Sequence, residues 1–72
     1  MTRDNALAAA ARRFKDCEQR VARQKARLEQ LEQGGRSDLA AEAQGTLTLL
    51  EDALNEAREQ LRAERRARGL PE

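Results

Sequence analysis

Histidine, tyrosine and tryptophan are absent from the sequence, and Phe14 is its only aromatic residue. Without an imidazole the chain lacks the side chain that most often serves as a general base or a metal ligand. A single cysteine, Cys17, can form neither an internal disulfide nor a cysteine zinc site. The sequence therefore predicts a protein that is not an enzyme, with no catalytic residue, no cofactor and no metal site.

Long apolar runs are missing as well. The longest, residues 6–11, has six residues, whereas a membrane-spanning helix needs about 20. It is also short for a signal peptide, and Arg12 and Arg13 follow where a cleavage site would lie. We therefore expect no membrane association, and the lone cysteine makes the reducing cytoplasm the simplest location.

What the sequence does contain is typical of long helices. It is 39% hydrophobic and 38% charged, and Ala, Leu, Glu, Arg and Gln dominate. Residues 1–72 are predicted to form one all-α domain, a coiled-coil-like antiparallel two-helix hairpin. Its expected parts are a helix over 4–33, a turn over 34–38 and a helix over 39–68.

Each predicted helix carries an apolar seam, in which steps of three and four residues alternate as in a heptad repeat. The first seam is Leu7, Ala10, Phe14, Cys17, Val21, Gln24, Leu28 and Leu31, and the second is Ala40, Ala43, Leu47, Leu50, Leu54, Ala57, Leu61 and Glu64. Gln24 is the polar intruder of the first seam. Cys17 is expected to act there as a small, unreactive hydrophobic residue.

The turn determines how the seams meet. Gly34 and Gly35 suit a helix end, and Ser37 or Asp38 is expected to cap the second helix. A turn this short allows only antiparallel neighbours. Folding about Gly35 sets large side chains opposite small ones and opposite charges side by side. The expected pairs are Leu28–Ala43, Gln24–Leu47, Val21–Leu50, Cys17–Leu54, Phe14–Ala57, Ala10–Leu61, Glu18–Arg58 and Lys25–Glu51.

Gly45 leaves two possibilities for the second helix. Glycine costs about 1 kcal/mol inside a helix, and Thr48 with Glu51 fits a capping box that would start the helix late. The seam nevertheless keeps its spacing through Gly45, which favours a continuous helix.

One flank of the hairpin is predicted to carry charge on one helix only. Arg13, Arg20 and Arg27 recur every seven residues along the first helix. The facing flank of the second helix is uncharged and carries Leu39, Thr46, Ala53 and the neighbouring Leu49. Arginine stems covering a mildly apolar edge would explain this pattern. We favour a second explanation, in which another hairpin packs here to form a homodimer or higher oligomer, a four-helix bundle.

Basic residues gather where the two chain ends meet. This open end carries Arg12, Arg13, Lys15, Arg62, Arg65, Arg66 and Arg68. The function that we favour is a non-enzymatic protein–protein interaction or structural module, which also leaves room for a different protein partner. The alternative is a small regulatory or nucleic-acid-associated factor that contacts phosphates at this end. Binding that weakens steeply with salt would favour the alternative, but no aromatic residues are interleaved for base stacking.

An acidic stretch, Glu51, Asp52, Glu56 and Glu59, is interpreted as a solvated helix face rather than a divalent-ion site, because no histidine accompanies it.

Part of the chain resembles a group of small proteobacterial proteins to which no function is assigned. Their pattern is an Ile/Val-Ala-Arg-Gln helix, Leu-Glu, a glycine turn and a second helix with Leu-x-x-Phe/Leu-Glu. The matching residues are Val21-Ala22-Arg23-Gln24, Leu28, Leu31-Glu32, Gly35, Leu47, Leu50-Glu51 and Leu54. The group often has His-Asp-Thr where this chain has Arg36-Ser37-Asp38. The resemblance covers about two thirds of the chain and implies the hairpin fold.

The pairing of the seams predicts a crosslink. With Cys17→Ala as background, cysteines in place of Val21 and Leu50 should form an intramolecular disulfide readily, because the predicted register sets them opposite each other. Non-reducing gel mobility and thiol titration measure it. Crosslinking of Val21→Cys with Ala40→Cys, and not with Leu50→Cys, would contradict the register.

Overall fold

The computed structural model describes the backbone of residues 3–70 and the side chains of residues 6–70. It contains two α-helices, α1 (Arg3–Gln33) and α2 (Ser37–Ala67), which pack against each other along their lengths. The chain measures 49 × 18 × 15 Å. The prediction of an all-α two-helix hairpin is confirmed.

Both helices end with the same hydrogen-bonded closure. At the end of α1, the Arg36 N–H donates to the Leu31 carbonyl at 3.0 Å, and the Gly35 N–H donates to the Glu32 carbonyl at 3.1 Å. Gly35 has a φ of 71°, the left-handed backbone that this closure requires. Gly69 repeats the arrangement after α2 with a φ of 72°. The glycines therefore stop the helices through their backbone freedom.

The start of α2 differs from the expectation. The helix begins at Ser37, and its N-cap residue is Arg36, whose side chain makes no capping hydrogen bond. The Arg36 carbonyl instead accepts the first helical bond, from the Ala40 N–H at 2.8 Å. The closure of α1 already involves Arg36, so Ser37 and Asp38 lie inside the first turn of α2. Asp38 still suits the positive end of the helix dipole.

α2 runs through Gly45 without a break. Thr48 does not begin a helix: its hydroxyl donates to the Gln44 carbonyl at 3.1 Å, as threonines inside helices do. Continuity at Gly45 keeps both halves of the α2 seam on the side that faces α1.

The core lies along the two seams and is thin. All eight seam positions of each helix are buried or half-buried. Among the described residues, the buried hydrophobic ones are Ala10, Val21, Ala40, Ala43, Leu47 and Ala57. Four of these six are alanines, and apart from Leu47 and Val21 the larger apolar seam side chains are only half-buried. The close approach of the helices thus depends on small residues, while every seam leucine except Leu47 keeps part of its surface in contact with solvent.

Contacts between the two helices show which residues of α1 and α2 lie at the same height along the hairpin. Arg13 donates through Nη1 to Gln60 Oε1 at 2.6 Å, and the Arg58 guanidinium carbon lies 5.7 Å from the centre of the Phe14 ring. The expected pairs Glu18–Arg58 and Lys25–Glu51 do not form ion pairs within 4.0 Å in the described chain. In the observed register their members are about five residues out of level, roughly 7.5 Å along the helices. Arg58 instead lies over Phe14 and hydrogen-bonds Asn55.

Gly45 and Gly35 form a matched pair for substitution, because a Cβ added at either residue meets no atom within 4 Å. Gly45→Ala should stabilise the hairpin by about 0.5–1 kcal/mol, since alanine loses less backbone entropy in a helix. Gly35→Ala should destabilise it by about 1 kcal/mol or more, because its φ is left-handed. Urea unfolding measures both, and equal effects of the two substitutions would contradict this account.

Gln24 makes a hydrogen bond that the sequence does not reveal. Its Nε2 donates to the Ala43 carbonyl at 3.0 Å from a half-buried position. In an α-helix that carbonyl also accepts the N–H of Leu47, so removing the glutamine leaves no orphan acceptor. Gln24→Leu should therefore stabilise the protein by about 1 kcal/mol, because added apolar burial exceeds the net worth of one hydrogen bond.

Gln24→Ala should lower stability by about 1 kcal/mol, because both the bond and the side-chain packing are lost. Thermal unfolding of the two variants tests this order. A leucine variant that melts below the wild type would show that the hydrogen bond outweighs apolar burial at this position.

Candidate interaction surfaces

One side of the hairpin, here called the arginine edge, combines a basic row with an uncharged row. The basic row on α1 is Arg13, Arg20 and Arg27. The uncharged row on α2 is Leu39, Thr46, Ala53 and Gln60, with Leu49 beside it. A spacing of seven residues returns to the same side of a helix every two turns, which keeps each row straight. The Arg13–Gln60 hydrogen bond joins the two rows at the end nearer the chain termini.

Surface grooves show that the rows also meet further along. Arg20 and Ala53 line one groove, and Arg27, Leu39 and Thr46 line the next one towards the turn. The grooves thus bring Leu39, Thr46, Ala53 and the three arginines to one side of the molecule. Leu49 lines neither groove and lies beside this row by its helical spacing.

The uncharged row exposes apolar surface. Leu49 is 71% exposed and Leu39 is 37% exposed. Ala53, in the same row of α2, is half-buried. The Thr46 hydroxyl donates to the Glu42 carbonyl at 3.3 Å, so its donor is satisfied within α2. A single exposed leucine is ordinary on a protein surface. Here Leu49 lies beside a row of α2 that itself carries no charge, and Glu42 and Glu56 flank Leu49 on the same side of the helix.

Charges on either side of that row are without partners. Arg20 and Arg27 on α1, and Glu42 and Glu56 on α2, make no side-chain hydrogen bond or ion pair within the described residues. Their side chains are exposed. The arginine edge therefore offers two guanidinium groups and two carboxylates that an incoming surface can engage.

The opposite edge has a different character. It carries Glu18 and Lys25 from α1 and Glu51 and Arg58 from α2, charges of both signs, with the last two half-buried. No apolar row accompanies them. Of the two edges, only the arginine edge combines an uncharged row with exposed leucines.

The predicted basic patch is not a single cluster. Arg12, Lys15 and Arg65 line a groove at the open end whose walls include Phe14 and Leu61. Arg12 also lines, with Arg13, a groove on the arginine edge. Arg62 pairs with Glu59 at 3.2 Å.

The remaining two arginines of the patch differ in exposure: Arg66 is exposed and Arg68 is half-buried. The seven residues share one end of the hairpin but do not form a single face.

Cys17 is a free, half-buried thiol on the seam. Within residues 6–70, no three His, Cys, Asp or Glu side chains are grouped so that they could hold a metal ion. In the part of the chain that the structure describes, neither helix is long and apolar enough to cross a membrane.

Comparison with known proteins adds no relative. No family model matches the chain, and neither the curated proteins nor the solved structures contain a match. The resemblance to the proteobacterial hairpin group thus stays an expectation drawn from the sequence, and the functional argument depends on the surfaces themselves.

Proposed function

We propose that this chain is a non-enzymatic interaction module that self-associates through the arginine edge, two hairpins forming a four-helix bundle. The observation that carries the proposal is the uncharged row of α2 with its exposed Leu39 and Leu49. A second copy of the chain is the occupant that we assign to this edge.

The surface area of the chain supports a partner of this size. Its accessible surface is 5450 Å² for a mass of 8.1 kDa. A compact monomer of that mass exposes about 4,500 Å². The excess of roughly 900 Å² is close to the area of about 800 Å² that each partner buries in a standard interface. A second hairpin therefore matches what one hairpin leaves uncovered.

The composition of the core points the same way. Its buried members are mostly alanines, and burying an alanine removes little apolar area from water. The seam leucines Leu28, Leu50 and Leu54 are half-buried, so part of their contribution is unused in a single hairpin. Small chains with such cores are usually stabilised by a disulfide, a metal or association. The only cysteine is a free thiol, and association is the source of stabilisation that we propose for this protein.

The open end supports the alternative, a nucleic-acid-associated factor, less well. Phe14 is the only aromatic side chain available for stacking, and the Arg58 guanidinium already lies over its ring. Positive charges near the C-terminus of α2 also suit the helix dipole without any ligand. The helix dipole does not account for the exposed leucines, Leu39 and Leu49, on which the self-association proposal rests.

Leu49→Glu should shift the protein towards the monomer and lower its helicity, because the substitution places a charge in the proposed contact and because folding is linked to association. Sedimentation equilibrium at micromolar concentration measures the first effect, and far-ultraviolet circular dichroism the second. The wild type should sediment as a dimer or a larger species.

Thr48→Glu is the matched control, since Thr48 is exposed and adjacent to Leu49 but lies outside the arginine edge. It should leave the oligomeric state unchanged. A wild-type chain that is monomeric and fully helical would contradict self-association, and would leave the edge as a docking surface for a different protein.

A further inference from the structure

The unpartnered charges of the arginine edge restrict how two hairpins can meet. We propose that they pair with both turns at the same end, about a two-fold axis parallel to the helices. α1 of one copy then lies on α2 of the other, and Arg20 and Arg27 reach Glu56 and Glu42 of the second copy. This inference rests on the proposed self-association and specifies its geometry.

Contacts between the helices set the level of the residues within one hairpin. Residue numbers sum to 73 for Arg13–Gln60, to 72 for Phe14–Arg58 and to 67 for Gln24–Ala43, so level residues sum to about 71, to within a turn. A step of seven residues along α1 corresponds to seven residues backwards along α2, because the helices are antiparallel. Arg20 therefore lies at about the level of Glu51, and Arg27 at about the level of Gln44, each within a turn of an α2 residue whose groove it shares.

A two-fold axis parallel to the helices preserves height. It sets Arg20 of one copy at about the level of Glu51 of the other, five residues from Glu56, or about 7.5 Å along the axis. It sets Arg27 at about the level of Gln44, two residues from Glu42, or about 3 Å. An extended arginine side chain and the facing glutamate side chain together span both offsets. The symmetry makes each contact twice, so all eight charges obtain a partner of opposite sign.

The competing arrangement, with the turns at opposite ends, gives the reverse result. Its axis crosses the helices, so α1 lies on α1 and α2 on α2. When the axis lies midway between Arg20 and Arg27, Arg20 of one copy meets Arg27 of the other. The same axis meets α2 near Leu47 and sets Glu42 of one copy about three residues, or about 4.5 Å, from the level of Glu56 of the other. Like charges then oppose each other in both rows, and such juxtapositions weigh against an interface.

The favoured arrangement has one cost, because it brings the two basic open ends to the same end of the bundle. Those side chains are mainly solvent-exposed, and charges in water are screened over about 8 Å at physiological ionic strength. The Arg–Glu contacts lie within the interface, where screening is weaker. The balance between local contacts and a screened repulsion at one end therefore favours the turns at the same end.

Two single charge reversals, Arg20→Glu and Glu56→Arg, test the pairing. Each variant alone places two like-charge contacts in the interface of its homodimer. Its dissociation constant should rise about tenfold, because two contacts that each change by roughly 0.7 kcal/mol weaken the dimer by that factor. In an equimolar mixture the two variants should form a heterodimer with near wild-type affinity, because every contact across that interface is again of opposite sign. Sedimentation and exchange of a fluorescent label measure both quantities.

The matched controls are Lys25→Glu and Glu51→Arg, which reverse charges on the opposite edge. They should neither weaken the homodimer tenfold nor prefer each other in a mixture. An Arg20→Glu homodimer as tight as the wild type, or a mixture with no heterodimer preference, would overturn the arrangement while leaving self-association intact. A wild type that does not associate would overturn both.

A distance measurement reports the geometry directly. A spin label at Arg36→Cys in a Cys17→Ala background places one probe in the turn of each hairpin. With the turns at the same end, the label separation should be less than about half of the 49 Å length of the chain. A separation near that full length would show turns at opposite ends and overturn the proposal. Circular dichroism of the labelled protein verifies that it is helical.

Discussion

The structure depends on the contact between two helices that approach each other through alanines. Ala57 has no exposed surface, and Ala10, Ala40 and Ala43 are nearly as enclosed. Such small residues allow the helix backbones to come close, but each of them removes little apolar surface from water. Two helices can bury only one stripe apiece, so most of the larger seam side chains, Leu47 and Val21 excepted, are only half-buried. The hairpin has a defined register and a weak core, and both properties arise from the same residues.

The proposed self-association follows from this constraint more than from any single contact. A thin core makes folding marginal, and the uncharged row of α2 is the surface through which, in our proposal, a second copy would add burial. The two edges of the hairpin then have different roles. The opposite edge, with mixed charges and no apolar row, suits solvent, whereas the arginine edge concentrates apolar area between charges that need partners. A charge arrangement of this kind also selects between orientations of the partner, because like rows repel and unlike rows attract.

Helix positions were predictable because hydrophobic periodicity extends over whole helices. Sixteen seam positions repeat one pattern, and all of them are at least half-buried in the structure. The same seven-residue spacing placed the arginines on one flank and Leu39, Thr46 and Ala53 on the facing flank. It holds through Gly45, where local propensity alone would allow a helix break.

Local details were less accessible to sequence reasoning. The cap of α2 depends on backbone bonds made by Arg36, which side-chain preferences do not encode. The expected cross-seam ion pairs do not form because Glu18–Arg58 and Lys25–Glu51 lie five residues out of the register that matches the apolar seams. The Gln24 bond to the Ala43 carbonyl has a backbone acceptor, so no residue type signals it. The exposure of Leu49, by contrast, was indicated by its position outside the α2 seam.

The central claim is that folding of this chain is coupled to its association. Thermal unfolding followed by circular dichroism over a concentration range on the order of a hundredfold tests it most directly, since a linked equilibrium makes the melting temperature depend on concentration. The account predicts a melting temperature that rises steadily with concentration, together with loss of helicity at the most dilute point. A melting temperature independent of concentration, with full helicity throughout, would contradict it.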